Sequence, residues 1–180
     1  MRYMWRPRRF SRIFDEIERA FEEIDEMIER MFKTFVRVPR EAAEITVEGP
    51  YFYGFSITIG PDGRPIIQEF GNVRPSRWGI EKSDVRRPYV ETHVDSKAGV
   101  LKVVAELPGV DKESIKVSAT EDVVTIRAEQ GDRKYHADVK LPVRVDPTTA
   151  KASYRNGVLE VTLNLKEKVE EKRGYEVKIE

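Results

Sequence analysis

Ala152-Ser-Tyr-Arg-Asn-Gly-Val-Leu-Glu-Val-Thr-Leu-Asn-Leu165 decides the fold class. Both central residues of a type I′ turn need positive φ, which Asn tolerates and Gly adopts freely, so Asn156-Gly157 predicts a two-residue hairpin. After the turn, Leu159, Val161, Leu163 and Leu165 alternate with Glu160, Thr162 and Asn164. A period of two marks a half-buried strand, and the turn makes it antiparallel to the stretch before it.

The same pattern extends upstream. Residues 89–95 and 100–107 read as strands separated by Ser96-Lys-Ala-Gly99. Ile115, Val117 and Ala119 alternate with Lys116 and Ser118; Val124, Ile126 and Ala128 alternate with Thr125 and Arg127. Tyr135, Ala137, Val139 and Leu141 follow the same rule. Pro108-Gly109 ends one strand, and Pro142 and Pro147 bracket a crossing before a strand at 151–154. Short strands at this spacing, with polar turns between them, predict an all-β core, an antiparallel immunoglobulin-like β-sandwich over residues 89–166.

Two segments precede it. From Ser11 to Val36 the spacing is helical: Phe14, Ile17, Phe21, Ile24, Ile28, Met31 and Phe35 recur at alternating intervals of three and four. That is the seam of an amphipathic or coiled-coil helix, with Ser11 as N-cap and Asp15–Arg19, Glu26–Arg30 and Glu29–Lys33 as i,i+4 pairs on its wet face. Such a stripe packs on its own domain or a dimer mate, or serves as an adaptable Met/Phe surface for exposed apolar patches of other proteins. Residues 37–88 contain the aromatic run Tyr51-Phe-Tyr-Gly-Phe-Ser-Ile-Thr-Ile59, a turn at Gly60-Pro-Asp-Gly63, and a returning strand over 64–70. Pro65 predicts an edge position for that second strand. The Gly, Pro, Ser and Arg content of 71–88 reads as a linker.

Three landmarks carry a family resemblance. Ala152-x-x-x-Asn156-Gly-Val-Leu159 matches the A-x-x-x-N-G-V-L signature of the α-crystallin domain of small heat-shock proteins. Leu107-Pro-Gly-Val110, within Glu106–Val117, resembles the stretch joining the third and fourth strands of that domain, and Val177-Lys-Ile179 is similar to the family's C-terminal I/V-x-I/V anchor. The resemblance covers residues 89–165 well and the 167–180 tail by its anchor, whereas residues 1–88 match only in general layout. It implies an ATP-independent holdase that binds unfolding client proteins and assembles as a homo-oligomer built from dimers. In that picture Val177 and Ile179 dock into a neighbour's groove formed by Ile115, Val117, Ala119, Ala152 and Tyr154, while the helical stripe from Phe14 to Phe35 meets clients. One departure stands out. Many archaeal, bacterial and plant members hold an exchanged strand in a long loop, and Glu129-Gln-Gly-Asp-Arg-Lys134 is too short for one. Either another edge dimerises, or the hairpin at 51–70 supplies the strand.

Composition narrows the rest. Lys+Arg 32 against Asp+Glu 32 gives no net charge that would advertise nucleic acid or an anionic membrane. The arm at residues 1–12 sets Arg2, Arg6, Arg8, Arg9 and Arg12 among Tyr3, Trp5 and Phe10, which reads as a solvated tail balancing the acidic helix or as a binder of nucleic acid or an anionic surface. Zero Cys excludes disulfides, thiolate nucleophiles and Cys-based zinc sites, and 36% charged residues suit a hot environment. No apolar run approaches the ~20 residues of a membrane span, and the N-terminus lacks a secretory signal, so a cytoplasmic protein is expected. His93 and His136 fall on polar strand faces, and no catalytic or nucleotide-binding motif occurs. The expectation is therefore a non-enzyme with no metal and no cofactor, the alternative being a p23-like co-chaperone or adaptor module.

Overall fold

A computed structural model of the chain describes residues 15, 17–19, 21, 22, 24–26, 28–30, 50–61, 63–76 and 79–167. The described residues between 15 and 30 are helical. Ten strands follow among the described residues: β1 (Tyr53–Ile59), β2 (Pro65–Ser76), β3 (Gly79–Arg87), β4 (Val90–Asp95), β5 (Val100–Glu106), β6 (Ile115–Ala119), β7 (Val123–Gln130), β8 (Arg133–Lys140), β9 (Val145–Arg155) and β10 (Val158–Leu165). They form two sheets, one ordered β1-β2-β3-β8-β7-β6 and the other β4-β5-β10-β9. The sandwich is as the alternation predicts.

Each strand buries one face because its apolar residues fall on alternate positions. Leu101, Val103 and Ala105 of β5 and Leu159, Val161 and Leu163 of β10 are the inner face of the four-stranded sheet. Val124, Ile126 and Ala128 of β7 and Tyr135, Ala137 and Val139 of β8 belong to the same cluster from the other sheet. No polar side chain is buried among the described residues. Each fully buried Leu, Ile or Val side chain contributes about 1.5–3 kcal/mol through removal from water.

The hairpin that fixes this arrangement is the one the dipeptide predicts. Arg155 pairs with Val158 across Asn156 (φ 51°) and Gly157 (φ 82°). The turn also locks the adjoining loop, since the Leu107 N–H donates to the Gly157 carbonyl at 2.7 Å. A Cβ on Gly157 would lie 3.3 Å from the Pro108 backbone.

Three expectations need correction. The stretch read as a linker is strand: β2 runs on to Ser76, and β3 occupies 79–87. Pro65 is not on an edge strand, because β2 lies between β1 and β3; as the first residue of β2, Pro65 does not interrupt the ladder's interior. The crossing bracketed by two prolines is shorter than expected, because β9 already begins at Val145 and includes Pro147.

The aromatic hairpin itself forms, with Ile59 opposite Pro65 and Gly54 opposite Phe70. Gly54 is required by close approach: a Cβ there would sit 2.3 Å from the Phe70 ring, which meets Tyr89 edge-on at 5.2 Å. Glu69 accepts a hydrogen bond from the Tyr53 hydroxyl at 2.9 Å and pairs with Arg87, tying β1, β2 and β3 together. Burial, then the Glu69 contact, pushes the Tyr53 hydroxyl well above the usual phenol range. The hairpin joins its own chain's sandwich through β3, which pairs in parallel with β8 at Arg86 and Tyr135.

Candidate docking groove

The groove follows from where the two sheets end. β6 is the last strand of one sheet and β9 the last strand of the other, and they lie side by side along one flank of the sandwich. On β6, Ile115, Val117 and Ala119 are half-buried against the core, while Lys116 and Ser118 are exposed. On β9, Ala152 pairs with Val161 and Tyr154 with Leu159. Directly opposed residues share a sheet face. Val161 is 0% exposed, yet its neighbour Ala152 is exposed on that same face. The inner side of β9 is therefore uncovered at Ala152, and the five residues expected at the groove lie on these two neighbouring edge strands.

One end of the groove is built by Tyr154. Its hydroxyl lies 2.8 Å from the Leu107 carbonyl oxygen and 2.9 Å from that of Val110, donating its single proton between them. Burial, followed by the charge of Asp111, raises the Tyr154 hydroxyl above its ordinary value. Tyr135 donates to the Pro108 carbonyl at 2.9 Å, so two tyrosines from different sheets hold the Leu107-Pro-Gly-Val110 loop. Beyond that loop, Gln130 donates to the Asp111 carboxylate at 2.6 Å, and a 3-10 turn, Lys112–Ser114, feeds into β6. The sequence reading missed Tyr135, since its apolar spacing gives it a core role and nothing marks its hydroxyl.

The other expected sites are placed in part. Ile17 and Ile24 are half-buried, whereas Phe21 is 49% and Ile28 is 37% exposed. The Phe21 ring meets Phe55 of β1 edge-on at 6.2 Å, so the helix lies against the aromatic hairpin. Phe52, Ile59 and Ile67 of that hairpin region are also exposed. The pair Glu26–Arg30 forms, at 3.7 Å. Phe14, Met31, Phe35, Ser11, the 1–12 arm and the Val177–Ile179 anchor lie outside the described residues. β7 and β8 are joined by a tight turn, with Gln130 paired to Arg133, which leaves no room for an exchanged strand in that loop.

His93 is exposed, and His136 sits beside Asp138 at 3.2 Å. The Thr125 hydroxyl, and then His136, hold the Asp138 carboxyl below its usual range. Among the described residues no cluster of three metal-ligating side chains occurs, and no helix is long and apolar enough to cross a membrane. A cavity of about 290 Å³ opens between β1 and β4, with a mixed lining that includes Ser56, Thr58 and Thr92 beside Ile57, Tyr89 and Val104.

Comparison with known proteins agrees with the landmarks. Heat shock protein 16.0 from Schizosaccharomyces pombe is 24% identical over 51% of this chain and 76% of its own, with a TM-score of 0.40. The Del-C4 mutant of hsp14.1 from Sulfolobus solfatataricus P2 is 29% identical over 46% of this chain and 78% of its own, with a TM-score of 0.40. Residues 93–180, which take in β5 to β10 and the tail beyond them, match the Hsp20/alpha crystallin family.

Proposed function

We propose that this protein is an ATP-independent holdase chaperone, assembled from dimers into a cytoplasmic homo-oligomer, that binds unfolding proteins and keeps them from aggregating. The observation that carries this reading is the match of residues 93–180 to the Hsp20/alpha crystallin family. Two features of the chain support it. Phe21 and Ile28 on the helix, with Phe52, Ile59 and Ile67 near the hairpin, leave apolar surface outside the sandwich core, where an unfolding chain finds contacts. The half-buried apolar residues of β6 and Tyr154 of β9 would suit an extended segment with apolar residues at alternate positions, the spacing that Val177 and Ile179 have in the sequence.

The test is light scattering of warmed citrate synthase, with and without this protein and with no nucleotide. Suppression at near-stoichiometric ratios is the expected result. Scattering unchanged across temperatures refutes the holdase. The anchor is tested separately by Val177→Gly/Ile179→Gly, which should shrink the oligomer seen by light scattering on a sizing column.

A further inference from the structure

We infer that the row Lys116–Arg127–His136, on the outer face of the six-stranded sheet, docks the acidic stripe Glu18–Glu22–Asp25 of the helix of a second copy of this chain. The inference deepens the homo-oligomer reading above and rests on it for the presence of more than one copy. It uses neither holdase action nor the C-terminal anchor.

The row follows from register. Lys116 of β6 stands directly opposite Arg127 of β7, and Arg127 directly opposite His136 of β8. Their strand neighbours Val117, Ile126 and Ala137 pack into the core, so the row faces away from it. Lys116 and Arg127 are exposed, and His136 is half-buried. Like charges set opposite each other across a ladder destabilise it. Compensation nearby is thin: Glu129 pairs with Lys134 at 3.1 Å, and Asp138, 3.2 Å from His136, also feels the charge of Arg127. Lys116 has no ion-pair partner among the described residues.

The helix presents the converse. Glu18, Glu22 and Asp25 are exposed and fall at i, i+4 and i+7, hence on one face. Like charges at those intervals weaken a helix. None of the three forms an ion pair among the described residues, whereas Glu26 is taken by Arg30. From Glu18 to Asp25 the stripe runs about 10.5 Å at 1.5 Å per residue. The row, two strand spacings wide, spans about 10 Å. Two rows of opposite sign, each unfavourable alone, are matched in length.

Position decides whose helix it is. Phe55 stands opposite Glu69, Gly71 opposite Arg87, and Arg86 opposite Tyr135. Tyr135 packs into the core, so Arg87 and His136, each one residue on, share the outer face with Glu69 and Phe55. The Phe21 ring meets Phe55 at 6.2 Å, which puts the helix on that outer face at the β1 end of the sheet. Glu18, Glu22 and Asp25 all lie within about 6 Å of Phe21 along the helix axis. β8, β7 and β6 are three, four and five strand spacings from β1, or about 14–24 Å. In one chain the acids therefore stand clear of Arg127 and Lys116. A two-fold axis parallel to the strands, placed between two such faces, brings the β1 end of one sheet over the β6 end of the other. Each helix then covers the other copy's row, both contacts form at once, and the exposed Phe21 and Ile28 enter the same interface.

The test reverses charge on one side at a time, at exposed positions of the full-length chain. One variant is Lys116→Glu/Arg127→Glu and the other Glu18→Lys/Glu22→Lys. Mass is followed by light scattering on a sizing column over a dilution series at low salt, with melting curves confirming that each variant folds. Each variant alone sets like charges together, and its dissociation midpoint should rise about tenfold or more. If Lys116→Glu/Arg127→Glu does not fold, Lys116→Gln/Arg127→Gln replaces it, with a rise of about threefold expected. Mixed one to one, the two reversals supply one native contact and one swapped contact, and the midpoint should return to within about threefold of the unchanged protein. Salt at about 0.5 M should narrow these differences. Recovery only when all four substitutions share one chain, with none on mixing, places the contact within a subunit and overturns the inference. Unchanged midpoints in both variants overturn it while leaving the homo-oligomer standing; if Lys116→Glu/Arg127→Glu then loses retention on heparin, the row serves an outside polyanion instead. A chain that is monomeric at every concentration overturns the homo-oligomer reading and this inference together.

Discussion

Replacing Tyr154 by Phe isolates the contact that joins the groove to the loop before it. The ring is half-buried and its shape survives, so only the hydroxyl is lost. That hydroxyl stands 2.8 Å from the Leu107 carbonyl oxygen and 2.9 Å from that of Val110, and both residues are themselves buried. One proton cannot serve two acceptors fully, so the gain is nearer one net hydrogen bond than two, about 0.5–1.5 kcal/mol. Leaving a buried carbonyl short of its donor adds to the cost, which places the substitution at about 1–2 kcal/mol. Tyr135→Phe removes the neighbouring contact to Pro108, at 2.9 Å, and should cost a similar amount. Because both hydroxyls hold the same loop, the double variant should depart from additivity by about 0.5 kcal/mol or more. The assay is urea unfolding at fixed protein concentration, with the midpoint falling and the slope unchanged. A loss below about 0.5 kcal/mol for Tyr154→Phe, or strict additivity, would refute this account. The loop would then be held by the Leu107–Gly157 backbone bond and the Gln130–Asp111 contact instead.

Gly157→Ala forces a methyl group into a backbone at φ 82°, 3.3 Å from Pro108, and should lower stability by about 1–2 kcal/mol in the same urea titration. Ile126→Ala, at a side chain 0% exposed between the sheets, should cost about 2–5 kcal/mol, measured by thermal melting at constant concentration. Asp138 has a carboxyl pKa held below its ordinary 3.8, chiefly by the Thr125 hydroxyl, so its contribution is present above that pH and is lost as pH falls through the lowered value. Thr125→Val should therefore flatten the acid limb of stability on the acid side of the ordinary carboxylate range and leave the midpoint's pH dependence near neutrality unchanged.

The strands from β4 to β10 were legible because each carries its own local signal. Alternation at Leu159, Val161 and Leu163 names the inner face, and Asn156-Gly157 names the turn. Period-two spacing also puts Ile115, Val117 and Ala119 on one side of β6, whereas their expected part in a groove came from the family resemblance and not from alternation. β3 was not legible. Gly79-Ile-Glu-Lys-Ser-Asp-Val-Arg-Arg87 lacks an apolar alternation, and what makes it a strand is its pairing with β2 and, at Arg86, with Tyr135 of β8, a contact far away in sequence. The early start of β9 was hidden by Pro147, which reads as a breaker. There the Thr149 hydroxyl accepts the Asn164 N–H at 2.9 Å where the ladder changes register, a local repair that no periodicity displays.

Openness at Ala152 has a cause in the sequence that bears on what the groove selects. Along the inner side of β10 the residues are Leu159, Val161 and Leu163, large enough to fill the space between the sheets. Across from Val161, β9 offers only the methyl group of Ala152, and the volume a larger side chain would occupy is left to solvent. A slot of that kind costs the free sandwich the stabilisation a Leu would give, roughly 25 cal/mol for each Å² of apolar area not buried. The same area becomes available to any segment that fills it. A β-branched residue fits this use well, because it has few rotamers to lose on binding. Two such residues spaced by one, as Val177 and Ile179 are in the sequence, would share one face of an extended segment, and a register shift of one residue would exchange that face for the other. On the docking proposed above, the groove would read spacing and branching rather than charge.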